Sequence, residues 1–331
     1  MKEQDIRPRA LFDRYLALAE EDIERFFRDM SEFVTTACPA CGESLYRHEF
    51  EKRGFQYTSC KGCGSLYLNP RPRPVLIDRY YRESEAARFW STEFYPATAE
   101  SRRERIFRPR AELAREWGGR LGLGGTVLDV GPGYGLFLDE ISGGGPFERA
   151  IGVEPGGPLA TECRARGHEV IEATIEGLNG TRLDADLAVN FEVLEHVAEP
   201  KLFLEAIRRQ LRPGGVLILT TLTCSGFDIQ VLWQDSKSVH PPHHINLISI
   251  EGMRALFDRS GFEILELSTP GRLDVSIVEN AIAEDQGLSV SRFARRLLRS
   301  CDETKAAFQS FLAENELSSH IRVVARRRED V

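Results

Sequence analysis

Four cysteines form the most specific chemical pattern in this sequence. Cys38 and Cys41 in "CPACG", with Cys60 and Cys63 in "CKGCG", follow the spacing C-x2-C-x18-C-x2-C. Each pair fits a tight turn that aims both sulfurs at one centre, and two such turns supply a closed tetrahedral thiolate shell for Zn2+. Gly42 and Gly64 follow the pairs, where a turn needs positive φ. A closed shell leaves no position for substrate, so the expected zinc is structural. It would hold together a module too small to bury a core of its own.

A second pattern, "VLDVGPGYGLFLDEI", places Gly131, Gly133 and Gly135 after a strand and before a helix. Glycines here let the backbone approach a ligand closely at the carboxyl edge of a sheet. The next strand ends at Glu154 in "IGVEPG", where a carboxylate can accept both hydrogen bonds of a ribose diol. The spacing is G-x-G-x-G, and Asp129 precedes it. An acid at this turn repels a pyrophosphate but suits an ammonium. S-adenosylmethionine, with an adenosine, an amino-acid end and no phosphate, fits these residues better than a dinucleotide does.

Histidines and carboxylates make the third group. "HPPHHINLIS" carries His240, His243 and His244 within five residues, stiffened by Pro241 and Pro242. An imidazole is a suitable general base at neutral pH. "FEVLEHV" carries Glu192, Glu195 and His196, whose spacing can present all three on one turn. They serve either as pocket-shaping residues that cap the following helix or, with His244, as ligands of a second divalent metal. The arginines at 102, 103, 105, 108 and 110 read as a solvated helix face, with a grip on a nucleotide diphosphate or a carboxylate as the alternative. "RFARRLLR" (292–299) reads as a surface face. Trp90 and Tyr95 either stack on a substrate ring or bury within a cap.

The elements that must position these groups follow from periodicity. Phe12, Leu16, Ala19, Ile23, Phe26, Met30 and Phe33 recur every three or four residues, which predicts one amphipathic helix beginning just after Pro8. Residues 37–73 form the zinc ribbon, ending in the extended "NPRPRP", and 74–117 a helical linker or cap. From 118 to 331, β-rich runs such as "TVLDV", "AIGVE", "DLAVN" and "VLILTT" alternate with helices, the pattern of a doubly wound parallel sheet. "FEILELS" and "IRVVARR" supply two late strands, with a helical insertion at 271–320 between them.

As a set, "VLDVGPGYG", "GVEP", "DLAVNFEVLEHVAEP" and "LRPGGVLILTT" resemble the successive motifs of class I S-adenosylmethionine-dependent methyltransferases. The resemblance covers roughly 110–331. It implies an α/β Rossmann-like sheet of seven strands in the order 3-2-1-4-5-7-6, the last antiparallel. It also implies that Gly131, Gly133 and Gly135 line the methionine moiety, that Asp129 supports it and that Glu154 holds the ribose hydroxyls. Asn190 and Phe191 would lie beside the cofactor. "EATIEGL" lacks the acid that commonly holds the adenine amino group, so backbone near Thr174 and Ile175 is the substitute. The segment after strand five resembles a related histidine motif, in which His244 matches the histidine and His243 a position often held by Glu. "CPACG" with "YTSCKGCGSLYLNPRP" resembles, more loosely, the zinc-ribbon extension of methyltransferases that modify sugars and surface polysaccharides. "EVLEH" is also similar to a metal-ligating segment of small-RNA 2′-O-methyltransferases.

The chain has 331 residues and a formal charge of −8, which disfavours a nucleic-acid footprint. No apolar run is long enough for a membrane span, and the charged start lacks a secretory h-region. Clustered thiols in an odd total of seven cysteines suit a reducing cytoplasm. The expectation is an enzyme that methylates a small-molecule or nucleotide-linked sugar hydroxyl, with His244, helped by His243, as base. Sugar C-methylation, RNA 2′-O-methylation and an idle cofactor-binding assembly protein are the alternatives, and a homodimer stays open.

Overall fold

The computed structural model describes residue 6, residues 8–178 and residues 180–329. Helix α1 (Arg9–Phe26) begins directly after Pro8 and buries Tyr15, Leu18, Ala19, Ile23 and Phe26 on one face. The apolar spacing continues to Phe33, but the helix does not. Asp29 accepts a hydrogen bond from the Ser31 N–H (2.9 Å), a local turn that competes with helical continuation. Met30–Glu32 make a single 3-10 turn, and Phe33 enters strand β1 (Phe33–Val34).

The cysteine segment forms β2 (Tyr46–Lys52), β3 (Phe55–Cys60) and β4 (Leu66–Leu68), all antiparallel, while β5 (Arg71–Pro72) returns to pair with β1. Arg53 and Gly54, both at positive φ, close the two-residue hairpin between β2 and β3. A helical cap follows: α2 (Pro74–Glu83), α3 (Glu85–Phe89), α4 (Tyr95–Arg102) and α5 (Arg108–Leu121), with wide π turns at Trp90–Phe94 and Arg103–Phe107. Buried Asp22 ties α1 to this cap. It accepts hydrogen bonds from Ser84 Oγ (2.6 Å) and from the Glu85 and Ala86 N–H groups (3.2 and 2.9 Å) at the start of α3.

The remainder runs β6 (Thr126–Val130), α6 (Leu136–Ile141), β7 (Arg149–Val153), α7 (Gly157–Ala165), β8 (Glu169–Ile171), β9 (Ala185–Phe191), α8 (Pro200–Gln210), β10 (Leu211–Leu222), α9 (Phe227–Leu232), β11 (Asn246–Leu247), α10 (Ile250–Arg259), β12 (Phe262–Ser268), α11 (Asp274–Glu284), α12 (Arg292–Leu298), α13 (Asp302–Glu314) and β13 (His320–Arg327). Seven strands form one sheet in the order β12-β13-β10-β9-β6-β7-β8, parallel except for β13. This is the order 3-2-1-4-5-7-6 that the motifs imply. Its central strands are apolar on both faces, as a sheet covered by helices on both sides requires; Val127, Leu128, Leu187, Ala188, Leu217 and Ile218 are fully buried.

The ribbon is not a separate bead. β11 adds to the ribbon sheet, antiparallel to β4. One apolar core runs from Cys38, Cys60, Cys63 and Tyr67 to Met253, Leu256 and Phe262. Arg259 donates to the Ala40 carbonyl (2.7 Å). No described helix is long and apolar enough to cross a membrane.

Candidate functional site

A cavity of about 760 Å³ opens at the carboxyl edge of the sheet, walled by α1, the cap, the glycine loop and the histidine loop. Gly131, Gly133 and Gly135 have φ of 79°, 57° and 79°, a region that excludes most side chains. A Cβ on Gly131 would meet Val193 Cγ2 at 2.8 Å, and one on Gly133 would meet the Tyr95 hydroxyl at 3.2 Å. Gly135 instead backs onto Cys163 Sγ (3.1 Å), so its smallness serves packing beneath the loop. Gly131, Gly133, Glu154 and Phe191 line the cavity, while Asp129, Gly135 and Asn190 lie behind that lining.

Two buried acids lie at this end, Glu154 on the lining and Asp129 behind it. Glu154 accepts from the Gly133 N–H (3.1 Å) and the Gly156 N–H (2.8 Å). Burial pushes its carboxyl up to about 7, against the pull of those N–H groups. Asp129 is raised to about 8 by burial and then by Glu154, with Arg110 opposing. Asn190 donates to the Val130 carbonyl (2.8 Å). Among the described residues, Asp129 Oδ2, Asn190 Oδ1 and Arg102 Nε are buried side-chain atoms with no hydrogen-bond partner. The arginine run is therefore split. Arg105 and Arg108 are exposed. Arg110 packs over the Phe191 ring (4.6 Å) and pairs with Glu192 (2.6 Å), and Arg102 lines the cavity beside Tyr95. Arg110 shares a helical face with buried Phe107 and Ala114, a spacing that sets it apart from the solvated arginines of the run.

At the other end the three loop histidines separate. His240 is buried, and Arg53 donates to its Nδ1 (3.0 Å). His243 is buried against the Tyr80 hydroxyl (2.5 Å), and desolvation holds it far below the usual imidazole range. His244 is half-buried and lines the cavity. Its Nδ1 donates to the Ser238 carbonyl (2.6 Å), which leaves the lone pair on Nε2. His196 Nδ1 likewise meets the His243 carbonyl (2.8 Å), and burial lowers this ring to about 4.

Glu195, His196 and His244 each bring a ligand atom within 4.8 Å of the others. Glu195 is buried, accepts from Thr221 Oγ1 (2.7 Å) and is raised to about 8 by burial and by Glu192. It does not cap a helix; α8 starts at Pro200. Glu192 leaves this group. At φ 58° its chain turns toward Arg110 and Thr220 (both 2.6 Å). Thr174 caps the short turn Ile175–Gly177, and Thr174, Ile175 and Glu176 all line the cavity near β8, where the motif offered only backbone. Trp90 stacks on Phe94 (4.1 Å) and also lines the cavity, and Tyr95 stacks on Tyr134 (5.7 Å).

The four ribbon cysteines gather around one point, with Cys38–Cys63 at 3.6 Å and Cys41–Cys60 at 3.4 Å, all as free thiols. Tetrahedral zinc–thiolate geometry separates sulfurs by about 3.8 Å. Four sulfurs this close fit a cation well and one another poorly. The Cys38 thiol, hydrogen-bonded to Cys63, is pushed far up, and burial takes Cys41 to about 11.

Residues 98–267 match the family described as "Methyltransferase domain", and the chain belongs to that family. It carries a class I S-adenosylmethionine-dependent methyltransferase fold. The ubiquinone biosynthesis O-methyltransferase of Rhizobium johnstonii is 32% identical over 105 residues, 29% of this chain and 40% of that protein. The Agrobacterium fabrum protein of the same name is 29% identical over 168 residues, 44% of this chain and 62% of the relative. The first curated relatives are thus matched over 40% of their length. Among solved structures, a chain of the complex between the Haloferax volcanii Trm112 methyltransferase activator and a methyltransferase is 16% identical, covering 72% of this chain and 98% of its own, with a TM-score of 0.48. Geranyl diphosphate methyltransferase with its cofactor is 15% identical, covering 71% and 91%, with a TM-score of 0.47.

Proposed function

We propose that this chain transfers a methyl group from S-adenosylmethionine to a hydroxyl of a small acceptor, with His244 as general base. The observation that carries it is the division among the loop histidines. His240 and His243 are buried against protein partners, and His244 is half-buried on the cavity with Nδ1–H fixed on the Ser238 carbonyl. In this reading Nε2 takes the acceptor's proton, and His243 positions the loop through Tyr80.

The residues fit the cofactor. Gly131 and Gly133 leave room for its methionine end, with Asp129 and Gly135 supporting the turn. In this reading Glu154 takes the ribose diol, and Asn190 and Phe191, at the end of β9, flank the cofactor. The unpartnered Arg102 Nε matches the cofactor's carboxylate. When bound, S-adenosylmethionine supplies an electrophilic methyl on a sulfonium. The fit of the four cysteines to tetrahedral zinc supports a structural Zn2+ held by Cys38, Cys41, Cys60 and Cys63.

The acceptor wall carries Phe12, Tyr15, Tyr81, Trp90 and Leu202, and among the described residues the lysine and arginine side chains in the lining are Arg102, Arg110 and Lys237. That lining favours a hydroxylated ring, sugar or phenol, over a nucleotide-linked form, whose diphosphate needs cations. The curated relatives are named as O-methyltransferases, which supports oxygen over carbon. Tritiated S-adenosylmethionine offered with catechol, or with methyl α-glucoside, tests the reading. Transfer to either that His244→Ala abolishes supports it; transfer that survives His244→Ala refutes the base. A second reading rests on the approach of Glu195, His196 and His244: a divalent cation there would orient the hydroxyl, and activity would then follow added magnesium or manganese.

A further inference from the structure

We propose that the cysteine ribbon is a positioning element of the acceptor site, acting through Tyr57 on the histidine loop. Tyr57 is fully buried in β3, and its hydroxyl donates to the His244 carbonyl (2.7 Å). Next to it, the Leu68 N–H of β4 donates to the Ile245 carbonyl (3.0 Å), and β11 continues the ribbon sheet. From the hairpin tip, Lys52 reaches the Ser236 carbonyl (2.8 Å) and Arg53 reaches His240 (3.0 Å). The loop is held on its other side too, because the Ile245 N–H donates to the Glu195 carbonyl (2.9 Å). The ribbon and the 192–197 turn therefore clamp residues 236–247 between them. A loop with two prolines and almost no regular structure needs such anchors, together with the Ser238 carbonyl on Nδ1, to hold the His244 ring in place, and reacting groups must be placed to well under 1 Å. Tyr57 touches no reacting atom, so its part is to place His244.

This rests on His244 being the functional ring, but its test does not. Full-length, zinc-loaded Tyr57→Phe keeps the ring and loses one hydroxyl. Hydrogen exchange at residues 238–247 should quicken about fivefold, the worth of one neutral hydrogen bond. In protein carrying 15N-histidine, the His244 signals, assigned from their loss in His244→Ala, should move from one neutral tautomer toward a mixture. Binding of S-adenosylhomocysteine should change less than twofold. Arg53→Met should quicken the same segment while acting through His240. Unchanged exchange and an unchanged His244 tautomer in Tyr57→Phe would overturn the proposal, even if His244→Ala proves inactive. A shifted tautomer with an active His244→Ala would uphold the positioning and overturn the base.

Discussion

Asp129 and Glu154 are two carboxyls that burial raises to about 8 and about 7, at the site where a cationic amino-acid ligand would bind. A raised acid holds its proton at neutral pH, and a nearby ammonium favours the ionised form. Binding of S-adenosylhomocysteine at pH 7 should therefore release protons, and affinity should rise as pH climbs through 7 to 8. Calorimetry in phosphate and in Tris would report different apparent enthalpies; identical enthalpies would refute the linkage. Glu154→Ala should weaken binding by about 1–3 kcal/mol through lost charge-assisted hydrogen bonds. Gly131→Arg should abolish it, because even a Cβ there meets Val193 at 2.8 Å. The glycines and Glu154 were legible in the sequence because backbone freedom and a strand-end acid have fixed spacing. Arg102 was legible only as one of a run of arginines, and Tyr80 and Tyr57 were not legible: their partners lie 163 and 187 residues away, and no local pattern encodes such contacts.

At the scale of elements, the strands were legible as apolar runs because a sheet covered on both faces demands them, whereas their number and order came from the resemblance to the methyltransferase family. The end of α1 was less legible. Apolar periodicity ran on through Met30 and Phe33, and a short-range Asp29–Ser31 turn overrode it. The docking of α1 depends instead on Asp22, whose carboxylate accepts three hydrogen bonds from the start of α3. Asp22→Ala leaves those donors buried and unpaired. It should destabilise the protein by about 1–2 kcal/mol, the usual loss for a helix N-terminal acceptor. Because these bonds hold α1 against the cap, losing them should also accelerate protease cleavage in the segment that follows α1, near residues 27–35. A chemical-denaturation midpoint and cleavage pattern equal to wild type would contradict this account.

For the molecule as a whole, buried acids and the shared core make two linked demands. Asp129, Glu154, Glu195 and Asp228 are all raised, to between about 7 and about 8, chiefly by burial. Burial holds His196, His240, His243 and His320 below the usual imidazole range, which opposes the acids below about pH 6.5, so the folded state binds more protons than the unfolded state chiefly between about pH 6.5 and pH 8, and stability of the ligand-free protein should fall as pH rises across that window. S-adenosylhomocysteine should lessen the fall, since it favours the ionised pair at its site. The ribbon bears on the same quantity. Cysteine spacing suggests an autonomous metal module, yet the cysteines share one apolar cluster with α10 and β12, and β11 completes the ribbon sheet. With zinc on the four thiolates, as proposed, Cys60→Ser should therefore lose the metal and lower the unfolding temperature of the entire chain in one cooperative transition, rather than release an N-terminal segment from an unchanged methyltransferase core. Scanning calorimetry with elemental analysis distinguishes the two. A low-temperature shoulder followed by a main transition at the wild-type temperature would show that the ribbon folds independently, and that the shared core contributes little to holding the two together.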